Sequence, residues 1–140
     1  MSQLGFTGTQ RGTTRQQMES VGGLLIYMFP DEVHHGDCIG ADEEFHDAVE
    51  IVLRPLVPFI HVHPPSNPRK RAWKQGDVIY EPRPYMDRNQ DIVDAIDALI
   101  ATPRGFEEEL RSGTWATVRR ARKKGIPVFV VLPNGKVEQS

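Results

Sequence analysis

Two hydrophobic periods alternate along this chain. Short runs that are continuously apolar, or apolar at every second position, are separated by stretches in which apolar residues recur every three or four positions. Leu4-Gly5-Phe6-Thr7-Gly8-Thr9 reads as a short strand entering a glycine-rich turn. Met18, Val21, Leu25 and Met28 then recur at helical spacing, behind a Thr14 cap that Gln17 completes as a capping box; this helix ends before Pro30. Glu32-Val33-His34-His35-Gly36-Asp37 is a second strand running into a turn. Phe45, Ala48, Val49 and Val52 mark a second helix, with Asp42 as its N-cap and Leu53 and Pro55 at its end. Phe59 to His63 is a third strand, stopped by Pro64 and Pro65.

From Ser66 to Pro84 the composition shifts to Pro, Lys, Arg, Trp and Tyr. The segment 64–85 is therefore expected to be a long surface loop with little regular structure, a kind of loop that is uncommon in compact domains and often functional. Met86 to Ala98 is helix-like, with Ile92, Ala95 and Ile96 on one face. Ala98 to Thr102 is a fourth strand that ends at Pro103. After an acidic linker, Glu107 to Arg111, Ser112-Gly113-Thr114 opens a helix that runs through Lys124 to a Gly125 C-cap. Pro127 to Leu132 is a fifth strand ending at Pro133, Asn134-Gly135 is a turn, and the last residues are an edge piece or a frayed end.

This order predicts an α/β fold: one domain over residues 1–140, a Rossmann-like three-layer sandwich with a mainly parallel sheet of about five strands. The continuously apolar strand near Val128 fits a sheet covered on both faces. In open sheets of this kind ligands bind outside the carboxyl ends of the strands.

Composition narrows the function classes. The chain has 140 residues, and 17 Lys and Arg against 19 Asp and Glu give a net charge of −2, which disfavours a dedicated duplex nucleic-acid binder. Hydrophobic residues at 39% and charged residues at 26% fit an ordinary globular domain and exclude disorder. The single cysteine, Cys38, has no internal disulfide partner, which points to a reducing compartment. The longest apolar stretch, Val21 to Phe29, holds two glycines and is too short to span a bilayer. A cytoplasmic location with no membrane partner is the expectation.

Three polar, glycine-containing turns should gather at one edge of the sheet: Gly8-Thr9-Gln10-Arg11-Gly12, the segment Gly36 to Asp42 that includes Asp37 and Gly40, and Ser112-Gly113-Thr114. Glycine lets backbone amides approach an anion, and a helix N-terminus favours negative charge. Hydroxyls of Thr9, Ser112 and Thr114 add hydrogen bonds, so a phosphate or ribose-phosphate is the natural ligand. Arg11, Arg15 and Arg88 are candidates for phosphate contacts, with Arg11 the best placed. Asn89 is placed to read a base or ribose hydroxyl, Asp42 to bind ribose or cap its helix, and His63 to touch the ligand from a strand end. His46, four residues after Asp42, is expected to stabilise its helix by a hydrogen bond, and Cys38 to be a packing residue. His34, His35, His61 and His63 invite a metal reading, but no Cys/His spacing matches a zinc pattern, so neither a metal site nor a cofactor is expected. Arg69-Lys70-Arg71 with Trp73 and Lys74 is either a ligand lid or an inert loop, and the basic cluster from Arg119 to Lys124 is a solvated helix end.

At these residues the chain resembles the SLOG superfamily, the Rossmann-like fold shared by the DNA-processing protein A (Smf) family and the LOG family of nucleotide phosphoribohydrolases. Gly8-Thr9-Gln10-Arg11 resembles the glycine-Ser/Thr-Arg turn after the first strand. Gly36 to Asp42 with His46 is similar to the DNA-processing family's Gly-Ile-Asp segment and downstream Ala-His, with Ala41 in place of the isoleucine and Phe45 in place of the alanine. Arg88-Asn89 followed by Ile92, and Ser112-Gly113-Thr114 followed by Thr117, resemble that family's Arg-Asn segment and Ser-Gly-Ser/Thr turn. LOG enzymes carry a catalytic glutamate after the corresponding turn. Here Trp115-Ala116-Thr117 follows, and Glu107, Glu108 and Glu109 precede it. The resemblance therefore implies a phosphate-binding pocket and leaves the enzyme question open.

The leading expectation is a sensor or binding module for a nucleotide or nucleotide-derived small molecule, with Trp73 or Tyr85 stacking on its base. One alternative is an N-glycosidic hydrolase or transferase acting on nucleotides, with Asp37, Asp42 or Glu81 as the carboxylate near the anomeric carbon. A further alternative is single-stranded nucleic-acid binding through Arg69 to Lys74 and Arg88. A homo-oligomer built on the apolar helix at 18–29 is expected.

Overall fold

The computed structural model describes residues 2–140. Its strands are β1 Gln3–Gly8, β2 Glu32–His35, β3 Phe59–Val62, β4 Val78–Ile79, β5 Ala98–Thr102, β6 Val128–Val131 and β7 Val137–Gln139. Its α-helices are α1 Arg15–Met28, α2 Ala41–Val52, α3 Tyr85–Ala95 and α4 Gly113–Lys124. One sheet runs in the order β4-β3-β2-β1-β5-β6-β7, parallel throughout except for the antiparallel pair β6 and β7. The α/β sandwich is as expected, but the sheet has seven strands rather than about five. The two additions lie at its edges. Val78–Ile79, inside the expected irregular loop, pairs with β3, and Val137–Gln139 folds back on β6 after the Asn134-Gly135 turn. A 3-10 turn, Pro68–Lys70, adds further order to the loop. These edge strands are two and three residues long, too short to carry a periodic signal.

Two apolar layers hold the sheet. Leu4 and Phe6 of β1, Val33 of β2, and Ile60 and Val62 of β3 pack against Val21 and Leu25 of α1 and Phe45 and Val49 of α2. On the other face Leu99 and Ala101 of β5 and Val128 and Val130 of β6 pack against Ile92 of α3 and Trp115, Val118 and Ala121 of α4. That second layer takes nothing from β2 or β3. Gly5 lets α3 lie close on β1, since a Cβ there would stand 2.5 Å from Ile96 Cδ1. At the end of α1, Ile26, Tyr27 and Phe29 are exposed. Among the described residues, no helix is long and apolar enough to cross a membrane.

Local chemistry sets the start of α1 and the end of α4. Thr14 Oγ1 accepts from the Gln17 amide at 3.0 Å while Gln17 Oε1 accepts from the Thr14 amide at 2.9 Å, the reciprocal capping box. Gly125 closes α4 in the left-handed conformation at φ 86°. Two expected boundaries shift. Helix α3 covers Tyr85–Ala95 rather than Met86 to Ala98. The cap of α2 is Gly40, not Asp42, which lies inside the first turn.

Candidate functional site

The chain builds the sheet outward from β1 through β2, β3 and β4, then crosses back through α3 to place β5 on the other side of β1, so the strand order reverses at the carboxyl ends of β1 and β5. A cleft of about 600 Å³ opens there. Such a reversal leaves a crevice because the two flanking connections turn to opposite faces of the sheet. The cleft brings together Gly8, Thr9, Gln10 and Arg11 from the β1 turn, Gly36 and Asp42 from around the β2 turn, Arg88 and Asn89 from α3, and Ser112, Gly113 and Thr114 from the start of α4. These residues come from four separate stretches of sequence.

Close approach of backbones sets the β1 turn. A Cβ at Gly8 would collide with Thr102 Oγ1 and stand 2.5 Å from Ala41 Cβ. The Thr9 amide donates to Thr102 O at 3.1 Å, and Thr9 O accepts from the Ala41 amide at 3.0 Å. The turn is thereby tied to β5 on one side and to α2 on the other. Thr9 Oγ1 accepts from the Arg11 amide at 3.2 Å, and the Arg11 side chain is left exposed at the cleft.

The helix N-termini near the cleft differ in charge. The first turn of α2 carries Asp42, Glu43 and Glu44 and that of α3 carries Asp87, while that of α4 carries no acid. Ser112 caps α4, its hydroxyl accepting from the Trp115 amide at 3.2 Å. The amides of Gly113 and Thr114 then lack an intrahelical acceptor, as the first amides of any helix do. The N-terminal partial positive charge of α4 faces the cleft with no side-chain anion on it.

Arg88 is the buried centre of the wall. Its Nη1 donates to His63 O at 3.1 Å and also to Gly36 O, and its Nε donates to Asn89 Oδ1 at 2.7 Å. Gly36 is required beside it, because a Cβ there would stand 2.6 Å from Arg88 Cζ and 2.8 Å from Asp42 Oδ2. The Asp42 carboxylate accepts from the Cys38 amide at 3.2 Å. Burial pushes its pKa up to about 6, opposed by the neighbouring Arg88 charge and reinforced by Asp37. The Cys38 thiol is pushed up to about 11, first by burial and then by Asp42, so it is a protonated packing group.

The raised Asp42 value has a measurable sign. The folded chain holds this proton more tightly than the unfolded chain, so between 3.8 and about 6 stability falls as pH rises. Asp42→Asn is expected to flatten that descent. Urea unfolding on either side of this window, wild type against variant, checks it; a difference between the two proteins that does not change with pH would refute it. The groups that face Asp42 are Arg88, Cys38 and Asp37, and all three stay in both proteins.

Four expected site residues lie elsewhere. Asp37 is fully buried and turned from the cleft, accepting from Arg71 Nε at 3.0 Å and the Lys74 amide at 2.9 Å. It clamps the segment 71–74, where Trp73 sits exposed at φ 61° with Arg71 over its ring. Gly40 shapes the start of α2 at φ 91° without lining the cleft. His63 faces a second cavity, with Tyr80 stacked on it at 4.3 Å. Arg15 pairs with Glu19 on the outer face of α1. His46 stabilises its surroundings through His35, whose Nε2 lies 2.8 Å from His46 Nδ1, and not through Asp42.

Tyr85, expected as a stacking ring, stands at the cleft, which also holds residues of the β5–α4 connection that sequence reasoning missed. Tyr85 accepts from Gln10 Nε2 at 3.1 Å and forms part of the rim. Arg104, Glu109 and Arg111 line the side formed by the β5–α4 connection, where Arg104 and Glu109 pair at 2.5 Å. Arg104 stands two residues past the carboxyl end of β5, so the rule that ligands bind at such ends already marked it.

No protein-family model and no curated protein matches this sequence. Solved structures match its fold. The molybdenum cofactor binding protein from the phototrophic bacterium Rippkaea orientalis superposes with a TM-score of 0.67 at 19% identity, over 92% of this chain and 75% of that one. The X-ray structure of TM1055, a structural genomics target, superposes with a TM-score of 0.57 at 15% identity, over 91% of this chain and 72% of that one. At these identities the likeness is one of fold alone, a Rossmann-like α/β domain.

Proposed function

We propose that this protein binds a nucleotide or nucleotide-derived small molecule in the cleft at the carboxyl ends of β1 and β5. One observation carries the reading: the acid-free N-terminus of α4 opens onto the same cleft as the exposed side chains of Arg11 and Arg111. Free amides, a helix N-terminus and two exposed guanidinium groups favour a phosphate. The opposite wall, with Asp42 and Asn89, offers an acceptor and a donor to a sugar or base, and Tyr85 a ring to stack on. The molybdenum cofactor named for the Rippkaea protein is itself a phosphorylated heterocycle, so it belongs to the same ligand class.

The test is thermal unfolding with AMP, ADP-ribose, NAD and the molybdenum cofactor, each against inorganic phosphate. A bound ligand at about 100 times its Kd adds roughly 2.7 kcal/mol of stability. Arg11→Ala and Arg111→Ala are expected to leave the stability of the unliganded protein within about 0.5 kcal/mol, since both side chains are exposed. Each should weaken binding about tenfold or more, the size of one charge-assisted hydrogen bond. No stabilisation by any member of the panel would overturn the reading.

A second reading, cleavage at the glycosidic carbon, is favoured by Asp42 alone. A cleft carboxyl group whose pKa is pushed up to about 6 is mostly ionised at neutral pH, yet close enough to it to take up a proton and return it. Release of free base in the same samples, lost in Asp42→Asn, distinguishes turnover from binding.

A further inference from the structure

The sheet face left bare by α3 and α4 carries an unusual ladder. Successive side chains on one strand face alternate, so Glu32 and His34 of β2, and His61 of β3 with the following His63, point to the same side. His34 and His61 are direct partners in the parallel register. Their rings stack at 3.9 Å with planes 7° apart, and Tyr80 stacks on His63 at 4.3 Å. Rings thus cover the part of the sheet that no helix reaches. At one end of this ladder three ligand atoms, one each from Glu32, His34 and His61, lie within 4.8 Å of one another.

We propose that Glu32, His34 and His61 form a binding site for a divalent transition-metal ion of the zinc class. Two imidazoles and one carboxylate are the donor set such ions prefer, whereas magnesium and calcium take oxygen ligands. The Nε2 atoms are the ones presented: His61 Nε2 lies 2.5 Å from Glu32 Oε1, and His34 Nε2 lies 2.8 Å from Gln3 Oε1. Gln3 therefore supplies a fourth oxygen beside the three ligands.

The supporting shell is already built. A ligating histidine needs a partner for its other ring nitrogen, which fixes the tautomer and the ring orientation. His34 Nδ1 lies 2.9 Å from His63 Nε2, and His61 Nδ1 lies 2.8 Å from Tyr80 Oη. With Nε2 given to the metal, each Nδ1 carries the proton and donates to that partner. The stacked rings hold their Nε2 lone pairs side by side, so binding requires one ring to tilt. His61 is the one with room, its side chain being 12% exposed against 2% for the His34 residue. The metal would brace β2 against β3 where helix packing is missing. The site lies on a face of the sheet, apart from the cleft at its carboxyl edge, and none of its residues lines that cleft.

The experiment uses the full chain treated with a chelator, then titrated by calorimetry with Zn²⁺, with Mg²⁺ and Ca²⁺ as controls. One Zn²⁺ per chain, a rise in Tm, and no response to Mg²⁺ or Ca²⁺ are expected. Glu32→Gln and His61→Gln, at partly exposed positions, should each weaken Zn²⁺ binding at least about tenfold, and Tyr80→Phe about tenfold through loss of the supporting hydrogen bond. Histidine ring NMR signals of the unmodified chain give a second readout that needs no variant: Zn²⁺ should move His34 and His61 first. A Zn²⁺ response no greater than that of Mg²⁺, unchanged binding in the Glu32→Gln/His61→Gln double variant, or shifts confined to other histidines would overturn the proposal.

Discussion

Replacing Arg88 with Met is expected to cost more than about 3 kcal/mol of folding stability, the scale for removing one partner of a buried charge network. Arg88 is 6% exposed, and its guanidinium donates to two backbone carbonyls, Gly36 O and His63 O, as well as to Asn89. Methionine fills the space but leaves both carbonyls without that donor. It also removes the positive charge that opposes the rise in the Asp42 pKa. Those losses add, since each buried acceptor left unpaired costs about 1–3 kcal/mol. Urea unfolding of the two proteins measures the difference, and a loss below about 1 kcal/mol would show that the network is not carried by Arg88. Combining Arg88→Met with Asp42→Asn should recover part of the loss, because the carboxylate no longer has to be buried as an anion without its neighbour.

Gly40→Ala is the second large effect. Gly40 sits at φ 91°, where a side chain is strained in any surroundings. A Cβ there would also collide with the backbone carbonyl oxygen of Gln10 and stand 2.6 Å from its carbon. Backbone cannot step aside as a flexible side chain can. The start of α2 and the β1 turn must separate, which breaks the bond from the Ala41 amide to Thr9 O. We expect a loss of more than about 2 kcal/mol, conformational strain alone supplying about 1–3. Ligand binding at the Gly8–Arg11 turn should fall with it. The matched control is Gly23→Ala in α1, where a new Cβ meets nothing within 4 Å. That change should be neutral or stabilise by up to about 1 kcal/mol. Thermal unfolding of both variants checks the contrast, and similar effects at the two glycines would remove the steric argument.

These two positions were legible to different degrees. Gly40 and Gly36 stood in a glycine-containing turn beside a helix start, so their presence near a site followed from the sequence. Their reasons did not. Gly36 is small because Arg88 crosses its Cα from a helix 52 residues away in the chain, and Gly40 because the Gln10 carbonyl lies against it. Arg88 itself read as an anion contact, yet its hydrogen bonds are spent within the protein. Asp42 read as a cap, but Gly40 takes that position and the carboxylate is drawn inward to the Cys38 amide. Asp37 read as part of a ligand-binding turn and as a candidate carboxylate near an anomeric carbon, and it clamps the Arg71–Lys74 segment.

Local signals set much of this molecule. The Thr14–Gln17 capping box, the Ser112 cap and the left-handed Gly125 are each satisfied within a few residues, so the chain specifies them without knowing the rest of the fold. The alternation of apolar strands and amphipathic helices likewise fixed the α/β sandwich, because its periods of two and about 3.6 decide which face each element must bury. Tertiary structure decided what depends on distant partners. It alone paired the edge strands β4 and β7, and it alone brought His34 opposite His61 in the parallel register. It buried Arg88 between two turns and left α4, not α2, with an N-terminus free of acidic side chains at the cleft. Hydrogen bonds and contacts across the sheet join residues far apart in sequence, and no local spacing encodes which of them will meet.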